Sequence, residues 1–152
     1  MKIRRILVGF FVVSVLILGI SVYAQVKRPF HNGIVWNVAF IRMKPGMESA
    51  YLNFLAGSWK ANQEDLKKDG LILSYKVITT EGHTPGDWNV MLMTEYKDLA
   101  TMEANEDKAD AVSQRVVGDD EKQRQDYRDR LEIREVMGDR LGREMVLSPK
   151  TP

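Results

Sequence analysis

Two histidines supply all the imidazole in this 152-residue chain, and one, His83, stands four residues before Asp87 in "HTPGDWNVMLMTEY", residues 83 to 96. A carboxylate beside an imidazole orients the ring and raises its pKa, so this pair has the residue types for proton transfer. The same residues have a plainer use, since Pro85-Gly86-Asp87 is ordinary turn chemistry. No nucleophile stands nearby for His83 to activate, and the turn reading is preferred. Trp36, Trp59 and Trp88, with Tyr51 and Tyr75, could line an apolar pocket. They serve equally as core, because an aromatic side chain buries ~150–250 Å² and a small domain needs that area. Cysteine is absent, which removes thiol nucleophiles, iron–sulfur clusters and thiolate zinc sites. The acids lack metal-ligand spacing, and neither a metal nor a cofactor is expected. The chain holds no glycine-rich phosphate loop and no G-x-S-x-G elbow.

The elements that must position these residues follow from hydrophobic period and punctuation. "QVKRPFHNG", residues 25 to 33, is polar and ends on Asn-Gly, a tether. "IVWNVAFIRM", residues 34 to 43, is β-branched and aromatic, a first strand closed by Pro45-Gly46. Met47, Tyr51, Phe54, Leu55 and Leu66 recur at helical spacing with Trp59 on their flank, which predicts a helix over 47–68 stopped by Gly70. Strands are expected over 71–80 and 88–96. Asp98 is a fitting N-cap for a second helix with the stripe Leu99, Met102, Ala109, Val112 and Val116. Asp120 and Gln123 make a capping box for a further helix to about Met137, its charges in i,i+4 pairs (Arg128 with Glu132, Asp126 with Arg130) on a solvated face. Gly138 ends it, "RLGREMVL" (140–147) is a last strand, and 149–152 is a tail. The domain thus runs from 34 to 148. The order is βαββαβ with an extra helix before the last strand: an α+β, ferredoxin-like arrangement with helices on one face of a four-stranded antiparallel sheet.

The N-terminus speaks to compartment. Lys2, Arg4 and Arg5 precede an apolar run from Ile6 to Ile20, and Val22 and Ala24 occupy the −3 and −1 positions of a signal-peptidase site. Residues 1–24 read as a signal peptide, so the mature chain is expected to be exported, periplasmic or secreted, and free of the membrane. The alternative is an uncleaved anchor, since the run approaches the ~20 residues that span a bilayer. The whole chain has 22 basic and 21 acidic residues, and the leader removes three of the bases. No basic excess remains for nucleic acid.

"WNVAFI" from Trp36 and "WNVMLM" from Trp88 fall on the first and third strands, which are central neighbours in a βαββαβ sheet. Side chains alternate along a strand. Trp36, Val38 and Phe40 are expected, with Trp88, Val90 and Leu92, on the helix side. The other face would present Ala39, Ile41, Met91 and Met93 with Asn37 and Asn89. Both faces are largely apolar, the helices cover one, and a homodimer through the sheet would cover the second.

"IRMKPGMESAYLNFL", "GLILSYKV" and "GDWNVMLMTEYKDL" are similar to stretches in small exported bacterial proteins of the dimeric α/β-barrel superfamily, a resemblance that runs from Val35 to Leu147. That superfamily includes cofactor-independent monooxygenases, haem-degrading enzymes and stress-responsive binding modules. The haem-degrading branch uses a first-strand asparagine and a third-strand tryptophan, where Asn37 and Trp88 lie, with an iron-ligating helical histidine. The second helix here has no histidine, so that scheme is not expected. The resemblance implies a small apolar or aromatic ligand beside the sheet, held by Trp36, Asn37, Tyr75, His83, Trp88 and Asn89. The leading expectation is an exported binding or non-catalytic module. The alternative is a cofactor-free monooxygenase of a phenolic or quinone-like compound, with Asn37, Asn89 or His83 holding the ionised substrate.

Overall fold

The computed structural model describes residues 28–81, 84 and 86–148. The leader, His83 and the tail at 149–152 lie outside the described residues. Asn32–Val146 form one compact unit, which holds the helices of the described residues and most of the sheet. The other is drawn from both chain ends, and in it the Ser148 N–H donates to the Pro29 carbonyl at 2.7 Å.

Strand β1 spans Phe30–Met43, β2 Ser74–Thr79, β3 Val90–Tyr96 and β4 Arg134–Leu147. They form one sheet in the order β2-β3-β1-β4. β3 is antiparallel to β1 and to β2. The expected βαββαβ, ferredoxin-like topology is therefore the one observed. Between β1 and β2 lie helices α1 (Glu48–Phe54) and α2 (Lys60–Lys68), joined by a π-helical turn at Leu55–Trp59. Between β3 and β4 lie α3 (Leu99–Ala104), α4 (Glu106–Val116) and α5 (Asp120–Leu131).

The boundaries have local causes. The helix expected over 47–68 kinks at Gly57, whose φ of −95° and ψ of −108° are not helical; a Gly-Ser pair and a π turn are common kink sites. Gly70 has a φ of +72°, a conformation glycine adopts without a Cβ penalty. The chain reverses there, and the Leu71 N–H returns to the Leu66 carbonyl at 2.9 Å. The Asp98 carboxylate accepts from the Thr101 N–H at 2.7 Å, the expected cap of α3. The cap of α5 is Asp119, which accepts from the Lys122 N–H at 2.9 Å, one residue before the expected Asp120.

The largest difference concerns the last helix and strand. The helix expected to reach Met137 stops at Leu131, and β4 begins at Arg134 rather than 140. Ile133 and Val136 pack on the core cluster of Ile41, Met43, Tyr51, Leu55 and Val90. The Ile133 carbonyl accepts from the Lys44 N–H at 3.1 Å beside β1. Helical charge spacing through Glu132 is thus outweighed by two apolar positions that the core takes up. Gly138 lies inside β4 with a φ of +152° and ends no helix. Arg128 reaches back to Glu121 at 3.3 Å, since Glu132 lies past the helix end. Asp126 pairs with Lys122 instead of Arg130.

The register corrects the assignment of faces. Ile41 pairs with Val90, Ala39 with Leu92 and Asn37 with Thr94, and these lie on the helix side with the core. Phe40 pairs with Met91, Val38 with Met93 and Trp36 with Glu95, so they occupy the outer face. The expectation for β3 from Val90 onward holds. That for β1 is inverted: Trp36, Val38 and Phe40 look outward, while Ala39 and Ile41 look inward. Trp88 also breaks the alternation, its ring meeting Phe40 edge-on at 5.0 Å. The cause is Asn89. Its N–H donates to the Ile41 carbonyl at 2.9 Å and its side-chain oxygen accepts from the Met43 N–H at 2.8 Å. A side chain thus takes a ladder position, and the period-2 count shifts by one before Val90.

A second cluster of Leu66, Leu71, Ile72 and Val112 joins α2 to α4, with Tyr75, Tyr96, Ala109 and Val116 around it. Among the described residues no helix is long and apolar enough to cross a membrane.

Candidate functional site

Between the sheet and the helices the two core clusters leave a cavity of about 300 Å³. Its floor is the inner face of the sheet: Asn37 and Ala39 of β1, with Leu92, Thr94 and Tyr96 of β3. One wall is Trp59 of the π turn with Asn62, Gln63 and Leu66 of α2; the other is Ala109, Asp110 and Ser113 of α4. A second cleft of about 280 Å³ shares Trp59, Asn62 and Ser113 with the first. It continues outward past Phe54 and Ser58 to Val117, Tyr127 and Arg130. Each matches the lower end of the ~300–1,000 Å³ of small-molecule sites.

The π turn carries Ser58 and Trp59, which face the outer cleft. Trp59 is held by Tyr75, ring edge to ring face at 5.3 Å. Tyr75 donates to the Glu64 carboxylate at 2.5 Å. That hydrogen bond to a neighbouring carboxylate, with a small contribution from burial, pushes the Tyr75 pKa up to about 12. The phenol therefore stays neutral and braces the tryptophan. Burial likewise pushes the Tyr96 hydroxyl up.

Two amides sit where the helix stripe should be apolar. Gln63 is buried and its carbonyl oxygen accepts from the Thr94 hydroxyl at 3.3 Å. The side-chain oxygen of Asn62 is also shut off from solvent but has no hydrogen-bond partner. A buried acceptor left unmatched costs ~1–3 kcal/mol.

The residues singled out from sequence are not all brought together. Asn37 lines the inner cavity, and Tyr75 reaches its wall through Trp59. Trp36 lies on the outer face with the Lys76 ammonium 5.2 Å from its ring centre, and Trp88 packs on Phe40 there. Asn89 serves the backbone of Met43. His83 lies outside the described residues. Asp87 accepts from the Thr84 N–H at 3.1 Å, and its own N–H donates to the Thr84 carbonyl at 3.1 Å, which closes the turn. Sequence reasoning passed over Asn62, Gln63, Ser113 and Arg130. A signal for the first two was present: they lie between Trp59 and Leu66 on the buried stripe, where an apolar residue is expected.

Among the described residues no three His, Cys, Asp or Glu side chains gather as a metal site would require. The polar groups of the cavity are amides, hydroxyls and Asp110, a set suited to orienting a ligand by hydrogen bonds.

No family model and no curated protein sequence matches the chain. Solved structures similar to it include HapK from Hahella chejuensis, at 13% identity and a TM-score of 0.48, covering 78% of this chain and 98% of that one. Another is a dimeric ferredoxin-like protein from an uncultured marine organism, at 13% identity and a TM-score of 0.49, covering 78% of this chain and 99% of that one. The strand order and register establish the ferredoxin-like fold without them.

Proposed function

We propose that the protein binds one small, mostly apolar or aromatic molecule between its sheet and helices, as an exported homodimer joined through the outer sheet face. The observation that carries the binding reading is the pair of cavities that meet at Trp59, Asn62 and Ser113, with Leu66, Leu92 and Ala39 lining the inner one. A purely structural helix would place an apolar side chain at position 62 and keep the stabilisation. The dimer reading rests on the outer face. Val38, Phe40, Met91 and Met93 lie together there with Trp88 against Phe40 and Ile78 beside Met91, while Trp36 at one end is covered by the Lys76 ammonium. Ile78 is 39% exposed. Apolar clusters on a sheet face commonly mark a surface that another chain covers. Methionine side chains adapt to a self-complementary interface about a two-fold axis. Export rests on the basic start, apolar run and Ala24-Gln25 junction.

Native mass spectrometry of the mature protein purified from its own host tests the binding reading. A dimer carrying a discrete small-molecule mass that disappears on denaturation is expected. A bare protein under the same conditions, with no ligand recovered in the organic extract, would count against it. Oxygen consumption on adding the recovered molecule would favour the monooxygenase alternative over simple binding.

A further inference from the structure

Two neighbouring arginines, one of which lines the outer cleft, form no ion pair among the described residues. Arg134 is 8% exposed, and its guanidinium carbon lies 5.6 Å from the ring centres of both Tyr51 and Tyr127. Arg130, one helical turn earlier in sequence, lines the cleft, with its guanidinium carbon 4.6 Å from the Phe54 ring centre and 5.9 Å from that of Tyr127. The Nε atoms of both are buried without a hydrogen-bond acceptor, and neither arginine forms an ion pair among the described residues. Asp126 lies near Arg130 but is bonded to the Lys122 ammonium. Aromatic faces recover part of the cost of desolvating a cation. They leave unmatched donors in a planar fork whose geometry fits a carboxylate.

We infer that Arg130 holds the carboxylate of the ligand, so that the molecule bound in the outer cleft is an apolar or aromatic monocarboxylic acid. The inference rests on the small-molecule reading and adds a ligand class to it. The acid's body would run from the inner cavity past Trp59, which lines both cavities, to Phe54 and Val117 in the outer cleft. Its carboxylate would accept from the two terminal nitrogens of the Arg130 guanidinium. Burial, and then the like charge of Arg134, push the Arg130 pKa down, with Asp126 acting the other way. A bound anion opposes both by stabilising the charged guanidinium. One carboxylate suits the one guanidinium that lines the cleft; the nearby Lys122 ammonium, which a phosphate dianion would need as a second cation, is engaged by Asp126.

The test compares 2-naphthoate with 2-naphthamide, matched in shape and differing in charge, by calorimetric titration of the mature protein at pH 7. The acid is expected to bind at least tenfold more tightly than the amide. Arg130→Gln should abolish that preference, with a thermal melt confirming that the variant is folded. Arg130→Lys, which keeps the charge and loses the fork, should retain only part of the preference. Equal affinity for acid and amide in the wild type overturns the inference while the small-molecule reading stands. A preference that survives Arg130→Gln overturns it equally. Failure of both compounds to bind also overturns it, and the co-purification experiment then decides the broader reading separately.

Discussion

Replacing Asn62 by leucine should make the protein more stable and a poorer binder. The side-chain oxygen of Asn62 is buried without a partner, which costs ~1–3 kcal/mol for a fully buried group. The residue as a whole is only half-buried, so the lower end of that range, about 1 kcal/mol, is the appropriate figure. Leucine also has the higher helix propensity, a gain of ~0.5 kcal/mol within α2. The adjoining cavities accept its added volume without displacing neighbours. A net gain of about 1–1.5 kcal/mol corresponds to a rise in Tm of about 3–8 °C for a domain of this size. Urea denaturation followed by circular dichroism gives the free energy, and a parallel melt gives Tm. Ligand affinity should fall, because the same substitution changes the wall that the two cavities share. This is the usual trade between a stable interior and a functional one. An Asn62→Leu protein less stable than wild type by more than ~0.5 kcal/mol would refute the reasoning, since it would mean the amide is already satisfied.

Further outcomes are expected from the outer face, the α3 cap and the N-terminus. Met91→Lys puts a charge beside its symmetry mate in the proposed interface; leaving a buried charge unpaired costs ~3–5 kcal/mol, so light scattering should show a monomer at concentrations where wild type is dimeric. The Asp98 carboxyl is held below its ordinary value of 3.8, chiefly by the Thr101 N–H. A lowered pKa contributes stability that is complete above 3.8 and disappears as pH falls through the lower folded value. The Tm gap between wild type and Asp98→Ala should therefore be constant from pH 7 to 5 and close in stronger acid; a gap that widens in acid would contradict the cap. Protein recovered from the cell envelope should have the mass of a chain beginning at Gln25, whereas full-length chain confined to the membrane fraction would establish an anchor instead.

Element type was largely legible because each segment has a clean period. "IVWNVAFIRM" alternates, and Tyr51, Leu55 and Leu66 keep to one helical stripe. The sheet order then followed from the βαββαβ sequence of elements. Phase was less legible. Both faces of β1 are apolar, so alternation alone could not say which one meets the helices, and Ile41 rather than Phe40 proved to be inside. The Asn89 side chain, standing in for a backbone acceptor, shifted the count ahead of Val90 by a mechanism that no hydropathy pattern encodes. The end of α5 was missed for a related reason. Charged residues spaced for a helix continue to Glu132, and only packing of Ile133 and Val136 on Ile41 decides for a strand. The aromatic residues drew attention to Trp36 and Trp88, now on the outer face. The site's polar members, Asn62 and Gln63, were visible only as two amides interrupting an apolar stripe.

Filling the inner cavity tests ligand binding between sheet and helices most directly. Leu92 lies on the cavity floor opposite the helices, and tryptophan at that position would occupy the space proposed for the ligand. Wild type and Leu92→Trp, purified identically from the native host, should be compared by native mass spectrometry, with circular dichroism to confirm that both are folded. The predicted result is a ligand-bearing wild-type dimer and a folded Leu92→Trp dimer of bare protein mass. The same ligand retained in both, at the same occupancy, would place binding elsewhere and contradict the proposal.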